Sequence, residues 1–306
     1  PQAQHMSQRD VKQRIESVKN IRKITSAMQM VAAARLRRAE QRIAALRPYA
    51  GAIRRMTRQA AAAAGGEVAA NPILQEHEKL ETAAILLVTG DRGLAGAFNS
   101  QIIRAGLIAA ADYEAEGVKV SFYAVGRRGV SSLIFRKLDP AGRYVGFTDR
   151  PAYSDARHIA GELMAAYVDD EVDRVEIFYN GFVSALTQEV RREVLLPLQQ
   201  ATVEEEIAIA EEESDGSEVH HALVEYEPEP AEILQRLIPD YVEISVFRAL
   251  LESTASEHGA RMTAMRSASE NAAEVIDDLT LEMNRARQAE ITQEIMEVVA
   301  GAESLT

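Results

Sequence analysis

Two long stretches with helical periodicity, one near each end of the chain, constrain this fold more than any other feature. The first covers positions 7–64 and stops at Gly65-Gly66, and the second covers 229–301. A helix of about 50 residues is roughly 75 Å long, which exceeds the width of a compact domain. Neither stretch can bury an apolar stripe along its whole length against one globular domain. The sequence therefore predicts that the two stretches bury their stripes against each other.

The C-terminal stretch contains a regular heptad seam. Apolar and small residues recur there at alternating steps of three and four, which is typical of a coiled coil. The seam consists of Met262, Met265, Ser269, Ala272, Ile276, Leu279, Met283 and Ala286. Further along the chain, we expect the seam to move to Ile291, Ile295 and Val298.

The N-terminal stretch carries a similar apolar stripe, which is predicted to shift phase once, between Val18 and Ile21. Its members are Val11, Ile15, Val18, Ile21, Ile24, Met28 and Val31. Pro48 is expected to kink this helix, and Pro239 to bend the start of the other one. The two stretches together predict a long antiparallel coiled coil of N- and C-terminal helices.

The middle of the chain alternates between strand and helix patterns. Helices are expected at about 98–116, 126–137 and 154–169, with a turn at 139–142 and one more strand or a short helix at 187–200. Apolar runs at 82–90, 118–126 and 173–181 indicate strands, and the first suits a strand buried on both faces. This alternation predicts an α/β fold class, with a central Rossmann-like, mostly parallel α/β domain over 72–202.

Charge is distributed unevenly along a chain whose formal net charge is −13. Between Arg9 and Arg58 there are 14 Lys/Arg and three acidic residues, a local net charge of +11. Between Glu204 and Glu232 there are 12 Asp/Glu and no Lys or Arg. We interpret 203–228 as an acidic insert and a connecting strand, and the acidic stretch 204–218 as a solvated loop.

Several classes of site find little support. The chain has no cysteine, which excludes thiol chemistry and disulfides, and no apolar run approaches the roughly 18 residues of a membrane span. His220-His221 beside the acidic run favours a solvated loop over a metal site. Asp277 and Asp278 could form a carboxylate pair, but adjacent residues of a helix point about 100° apart. We therefore expect both to be solvated or to face a partner. The loop 89–99 lies between a strand and a helix but lacks the Gly-Lys-Ser/Thr ending of a Walker loop, so a turn or partner contact is favoured over a nucleotide site.

The basic N-terminal helix is open to three interpretations. A membrane-surface helix is the weakest, because the apolar stripe is narrow and rich in alanine. A nucleic-acid-binding helix would place cations on phosphates, and an acidic protein partner could instead surround a two-helix shaft; the residue pattern leaves both open. The cations concerned are Arg22, Lys23, Arg35, Arg37, Arg38 and Arg42.

Sequence segments in all three regions resemble the gamma subunit of F-type ATP synthase. The segment "RIESVKNIRKITSAMQMVAAARLRRAEQR" (14–42) is similar to the opening helix of that family, and "DRGLAGAFN" (91–99) to its central loop, where many members have Cys in place of Ala95. "YEPEP" (226–230), "FRALLESTASEHGARMTAM" (247–265) and "NRARQAEITQEI" (284–295) resemble its last helix. The matches follow the family order over nearly the whole chain, and the acidic stretch 204–218 is the main departure.

The resemblance implies a central rotor shaft that catalyses nothing itself and needs no cofactor or metal. The expected partners are the alpha and beta subunits of a catalytic hexamer, the epsilon subunit and the c-ring, with no nucleic acid and with the membrane reached only through the c-ring. Proton flow would turn the shaft and couple c-ring rotation to ATP synthesis or hydrolysis on the beta subunits. The expected location is peripheral, on the cytoplasmic face of a bacterial plasma membrane.

The resemblance also implies which residues contact the beta subunits. The cationic face of the first helix is expected to meet an acidic loop of the beta subunits, the central loop to lie near the lower rim of the hexamer, and the last helix to touch the beta catch region higher up. The positions carried over are Lys23, Met28, Arg35, Arg92, Ala95, Arg261, Arg287, Gln288, Thr292 and Glu294.

Overall fold

The computed structural model describes residues 8–64, 71–198 and 229–303, which form five helices and five strands. The pair His220-His221 and the acidic insert 203–228 lie outside the described residues. The helices are α1 (Gln8–Ala64), α2 (Phe98–Ala115), α3 (Arg127–Phe135), α4 (Tyr153–Val168) and α5 (Pro230–Glu303). The strands are β1 (Thr82–Val88), β2 (Lys119–Val125), β3 (Gly142–Tyr144), β4 (Arg174–Phe182) and β5 (Gln188–Leu196).

The five strands form one mostly parallel sheet in the order β3-β2-β1-β4-β5. Strand β1 pairs in parallel with β2 and β4, and β2 pairs in parallel with β3. Strand β5 pairs antiparallel with β4, so the open alternative at 187–200 is settled as a strand over Gln188–Leu196. The three-residue β3 was not predicted, because it begins at Gly142 within the expected turn and is too short to carry a periodic pattern.

Strand β1 is apolar from Ala83 to Val88 because helices cover both of its faces. Ala83, Ile85 and Leu87 belong to one buried cluster, which also contains residues of α2 and α3. Ala84 and Leu86 belong to a second cluster on the other face, with residues of α4, of α5 between positions 237 and 250, and of α1 at 53 and 60. This alternation explains why β1 has no polar face.

The chain divides into two compact units, one formed by the described parts of 1–33 and 261–306 and the other by 34–260. In the first unit α1 and α5 pack as a coiled coil. Val11 and Ile15 contact Leu279 there, with Val18 and Met283 partly buried against them. The start of α1 thus meets a late part of α5, as an antiparallel pair requires.

The predicted seam of α5 is confirmed over its eight members, all of which are buried or half-buried. Its predicted continuation is wrong: Ile291, Ile295 and Val298 are 49%, 58% and 72% exposed. Leu279 already packs against Val11, close to the first described residue of α1. The last turns of α5 therefore run beyond the described part of α1, and their apolar residues have no α1 residue opposite them.

The predicted phase shift in α1 is also wrong. Ile21, Ile24 and Val31 are exposed, by 53%, 60% and 53%. The buried positions instead keep the register that Val11, Ile15 and Val18 begin, at steps of three, four or seven residues. They are Thr25, Ala32, Leu36 and Ala39. The prediction followed side-chain size, whereas the helix buries small residues. Both α1 and α5 continue as helices past their internal prolines, Pro48 and Pro239.

Candidate partner-binding surface

The cationic face of α1 combines exposed and half-buried side chains. Lys23 is exposed and Met28 is half-buried. Arg35 is held in place, because its Nη1 donates a hydrogen bond to Asp149 Oδ2 over 2.8 Å. The Arg35 and Asp149 side chains remain 37% and 32% exposed. Arg35 therefore has a defined direction and is still accessible to a partner.

The loop between β1 and α2, residues 89–97, is held by a side chain of the helix that follows it. Asn99 Oδ1 accepts a hydrogen bond from the Gly90 amide over 2.8 Å, and Asn99 Nδ2 donates to the Arg92 carbonyl over 3.3 Å. Leu94 and Gly96 adopt positive φ angles of 63° and 57°, which turn the chain sharply. The loop is consequently a defined structure with its own hydrogen bonds.

Arg92 and Ala95 occupy different environments within this loop. The Arg92 side chain is 65% exposed. Ala95 is only 2% exposed, whereas its neighbour Leu94 is 63% exposed. A partner that docks on the loop would therefore meet Arg92 and Leu94 directly, and would reach Ala95 only through these neighbours.

Asp91 fixes the loop to the segment 146–149. Its Oδ2 accepts hydrogen bonds from the Gly146 amide (2.8 Å), the Thr148 amide (3.2 Å) and the Thr148 hydroxyl (3.1 Å), and its Oδ1 accepts from the Arg127 amide (3.1 Å). Burial by itself raises the pKa of Asp91, but these donors outweigh it and hold the pKa below its ordinary value. Asp91 is thus a charged organiser of the polypeptide that carries Asp149.

Asp149 brings together two site residues that the sequence could not connect. Its Oδ2 lies 2.8 Å from Arg35 Nη1 and 3.6 Å from Arg92 Nη2. The preceding residue, Thr148, accepts a hydrogen bond at its carbonyl from Thr254 Oγ1 of α5 over 2.9 Å. We call Arg35, Arg92 and Asp149 the Asp149 junction. Sequence reasoning missed Asp149, because nothing in the local sequence around it signals a site.

The predicted residues of the last helix fall into two groups. Arg261 is only 7% exposed. Arg287, Gln288, Thr292 and Glu294 are all exposed, and Thr292 Oγ1 donates to the Gln288 carbonyl over 2.8 Å. These four share the end of α5 with the apolar side chains Ile291, Ile295, Met296, Val298 and Val299, which are also exposed. An exposed surface that is both apolar and polar in this way is typical of a protein-binding surface.

The candidate carboxylate pair, metal-binding groups and membrane-spanning helices can each be checked within the described residues. Asp277 and Asp278 are both exposed on α5. Within the described ranges, no group of three or more His, Asp or Glu side chains is arranged to hold a metal ion. None of the described helices combines the length and the apolar character that a membrane crossing requires.

Comparison with known proteins identifies the family. The family model described as ATP synthase matches residues 7–305. The ATP synthase gamma chain of Rubrobacter xylanophilus is 44% identical over 299 residues, which cover 98% of each chain. The chain belongs to the ATP synthase gamma chain family. The resemblance seen in the sequence is therefore confirmed, and the comparisons do not support a nucleic-acid-binding protein.

Solved structures agree with this membership in the ATP synthase family. A chain in the central stalk and c-ring structure of the Tetrahymena thermophila mitochondrial ATP synthase has a TM-score of 0.60 and 26% identity, covering 80% of this chain and 99% of that one. A chain of the Euglena gracilis mitochondrial ATP synthase has a TM-score of 0.67 over 97% of this chain and 94% of its own. At 17% identity the second likeness concerns the fold alone.

Proposed function

We propose that this chain is the central rotor shaft of a proton-translocating F-type ATP synthase, and that it couples c-ring rotation to ATP synthesis or hydrolysis on the beta subunits. The observation that carries the proposal is the pairing of Val11 and Ile15 with Leu279, since it joins the two ends of the chain into one coiled coil. Membership in the gamma chain family supports the same role. Positions 7–64 and 229–301 supply the shaft helices, 72–202 the α/β domain, and 203–228 the acidic insert.

A shaft of this kind acts through unequal contacts rather than through chemistry. The two helices of the coiled coil carry different exposed residues, so each angle of rotation presents a different surface to a given neighbour. A contact that is stronger in one conformation of a beta subunit than in the others shifts that subunit towards it. The chain itself is non-catalytic in this proposal, and the bond-forming chemistry belongs to the beta subunits.

We assign the beta-subunit contacts separately within each unit of this chain. In the unit formed by 1–33 and 261–306 they are Lys23 and Met28 of α1 and Arg261, Arg287, Gln288, Thr292 and Glu294 of α5. In the unit formed by 34–260 they are Arg35 of α1 and Arg92 and Ala95 of the central loop. The accessibility of Lys23, Arg92 and Arg287 supports this assignment. Arg35 fits it as well, because Asp149 neutralises only part of the local positive charge.

The remaining partners are proposed for the unit formed by 34–260. The central-stalk context of the Tetrahymena neighbour supports binding to the c-ring there, and we extend this to the epsilon subunit. The chain would then reach the membrane only through the c-ring, as a peripheral protein on the cytoplasmic face of a bacterial plasma membrane. No cofactor and no nucleic acid takes part in this role.

Direct observation of rotation tests the proposal. Because the chain has no cysteine, Glu114→Cys on the exposed side of α2 gives a single attachment point for a gold particle on the complex reconstituted with alpha and beta subunits. We expect ATP to drive rotation of the particle in one direction. A reconstituted complex that hydrolyses ATP while the particle stays still would contradict a rotor role.

A further inference from the structure

A cavity of about 550 Å³ lies between α1, the segment 149–150 and α5, entirely within the unit formed by 34–260. Four arginines line it: Arg35, Arg38, Arg42 and Arg150. Within the described part of the chain, Asp149 is the one carboxylate in this lining. The cavity therefore collects about three uncompensated positive charges, in a chain whose overall charge is strongly negative.

The spacing of the arginines on α1 produces this concentration of charge. Arg35, Arg38 and Arg42 are three and four residues apart, which places them along one face of the helix. Arg150 joins them from the segment after β3. Burial, together with the nearby charge of Arg150, lowers the pKa of Arg42. The neighbouring guanidinium groups repel one another because they carry the same charge, and a bound anion would reduce that repulsion.

Two of the guanidinium groups are already held in position. Asp149 Oδ2 accepts from Arg35 Nη1 at 2.8 Å, and the Pro151 carbonyl accepts from Arg42 Nη2. An anion that enters the cavity would thus meet donors whose directions are set in advance, which reduces the entropy lost on binding. The guanidinium group suits phosphate in particular, because its planar fork can donate two parallel hydrogen bonds to one phosphate group.

We propose that this cavity is a binding site for a phosphate-bearing anion of the size of a di- or triphosphate group. Its volume lies within the roughly 300–1,000 Å³ that is usual for small-molecule sites. The rest of the lining is Ala, Gln, Thr and His, with no Phe, Tyr or Trp among the described lining residues to stack on a base. The site would therefore recognise the phosphate groups rather than a nucleoside. This binding does not depend on the rotor role, and it can be measured on the isolated full-length chain.

Isothermal titration of the full-length chain with sodium tripolyphosphate at low ionic strength tests the proposal. We expect one saturable site, similar affinity for ATP and tripolyphosphate, and weaker binding of orthophosphate. The double variant Arg38→Gln/Arg150→Gln should bind tripolyphosphate at least about tenfold more weakly, because each arginine supplies charge-assisted hydrogen bonds. Absence of tripolyphosphate binding, or binding of ATP without binding of tripolyphosphate, would overturn the proposal.

A matched variant separates a built site from general attraction to a basic helix. Arg37→Gln/Arg47→Gln removes the same charge from exposed positions of α1 that do not line the cavity. We expect it to keep the affinity of the unmodified chain within about twofold, since exposed charges are screened by salt. Equal weakening in the two double variants would show diffuse electrostatic binding and would refute the site.

Chemical modification gives a second measurement that needs no substitution. Phenylglyoxal reacts with accessible arginines, and mass spectrometry identifies the modified positions. Saturating tripolyphosphate should protect Arg38, Arg42 and Arg150 from modification. The reactivity of Arg37 and Arg47 should be the same with and without tripolyphosphate. Protection of all five to the same extent, or of none of them, would argue against a site at this cavity.

Discussion

Arg35 Nη1 lies 2.8 Å from Asp149 Oδ2, although the two residues are 114 positions apart in the chain. The contact connects α1 to the segment after β3, at the point where Arg92 also approaches the same carboxylate at 3.6 Å. Both partners are about one-third exposed. Solvent screening therefore limits what the ion pair contributes to stability, and its main effect is to orient Arg35.

A double-mutant cycle measures this contribution. Arg35→Gln and Asp149→Asn should each lower the free energy of local opening at residues 147–150, with a coupling energy of about 0.2–1 kcal/mol, the range for exposed ion pairs. Native-state hydrogen exchange of the amides in that segment gives these free energies. Strictly additive effects would mean that the coupling energy is zero and that the ion pair does not contribute to stability.

Arg287→Ala or Gln288→Ala should lower ATP turnover by the assembled complex while leaving the chain folded. Both side chains are exposed on α5, so neither substitution removes a core contact. The apolar residues nearby are exposed as well. Steady-state hydrolysis by the reconstituted complex, with circular dichroism of the free chain, checks the prediction. Unchanged turnover in both variants would remove these positions from the beta-subunit contacts.

Asp91 should make part of the stability depend on pH. Its pKa is lower in the folded chain than the unfolded value of about 3.9, so the unfolded chain binds more protons as the solution becomes acidic. The stabilisation is present above the unfolded pKa and is lost as the pH falls through the folded pKa. Asp91→Asn should therefore flatten the decline of the melting temperature between about pH 5 and pH 2.

Asp173 should contribute independently to the same pH dependence. Burial raises its pKa, but a hydrogen bond from His77 and the amides of Glu81 and Thr82 hold the pKa below the ordinary value. Asp173→Asn should remove a separate part of the acid-dependent decline. If the double variant declined as steeply as the unmodified chain, neither carboxylate would account for the pH dependence.

Gly126→Ala should destabilise the α/β domain strongly. Gly126 has a φ of +88°, and a Cβ at this position would lie 2.3 Å from the carbonyl oxygen of Thr89. Gly117 is a matched control, because it also has a positive φ (+81°) but has open space where the added methyl group would lie. We expect Gly117→Ala to cost about 1–2 kcal/mol for its backbone alone, and Gly126→Ala clearly more. Equal losses of unfolding free energy would show that the contact with Thr89 is unimportant.

Leu279→Ala should loosen the coiled coil. Leu279 is 8% exposed and packs against Val11 and Ile15, so the substitution should cost about 2–3 kcal/mol, the lower part of the range for buried leucines. Ile295→Ala on the same helix removes a side chain that is 58% exposed and should change stability by no more than about 0.5 kcal/mol. Hydrogen exchange along α1 and α5 reports both effects. Similar losses at the two positions would contradict the seam.

Local sequence patterns correctly predicted the buried faces of β1 and of the middle part of α5. The apolar run of β1 predicted a strand covered on both faces, and the heptad spacing from Met262 to Ala286 predicted the buried face of α5. The same approach failed in α1, where Ile21 is exposed and Ala32 is buried. Side-chain size outweighed spacing in that prediction, whereas a close helix pair buries whichever residues occupy the seam, including small ones.

The order of the helices and of strands β1, β2 and β4, the coiled coil of the two chain ends and the gamma chain family could all be read from the sequence alone, because each depends on local periodicity or on motifs that stay contiguous. The Asp149 junction, the arginine-lined cavity and the antiparallel pairing of β5 required the tertiary structure. Each of these joins residues far apart in sequence. The ion pairs and backbone hydrogen bonds involved do not produce a periodic pattern in the sequence, so they cannot be predicted from it.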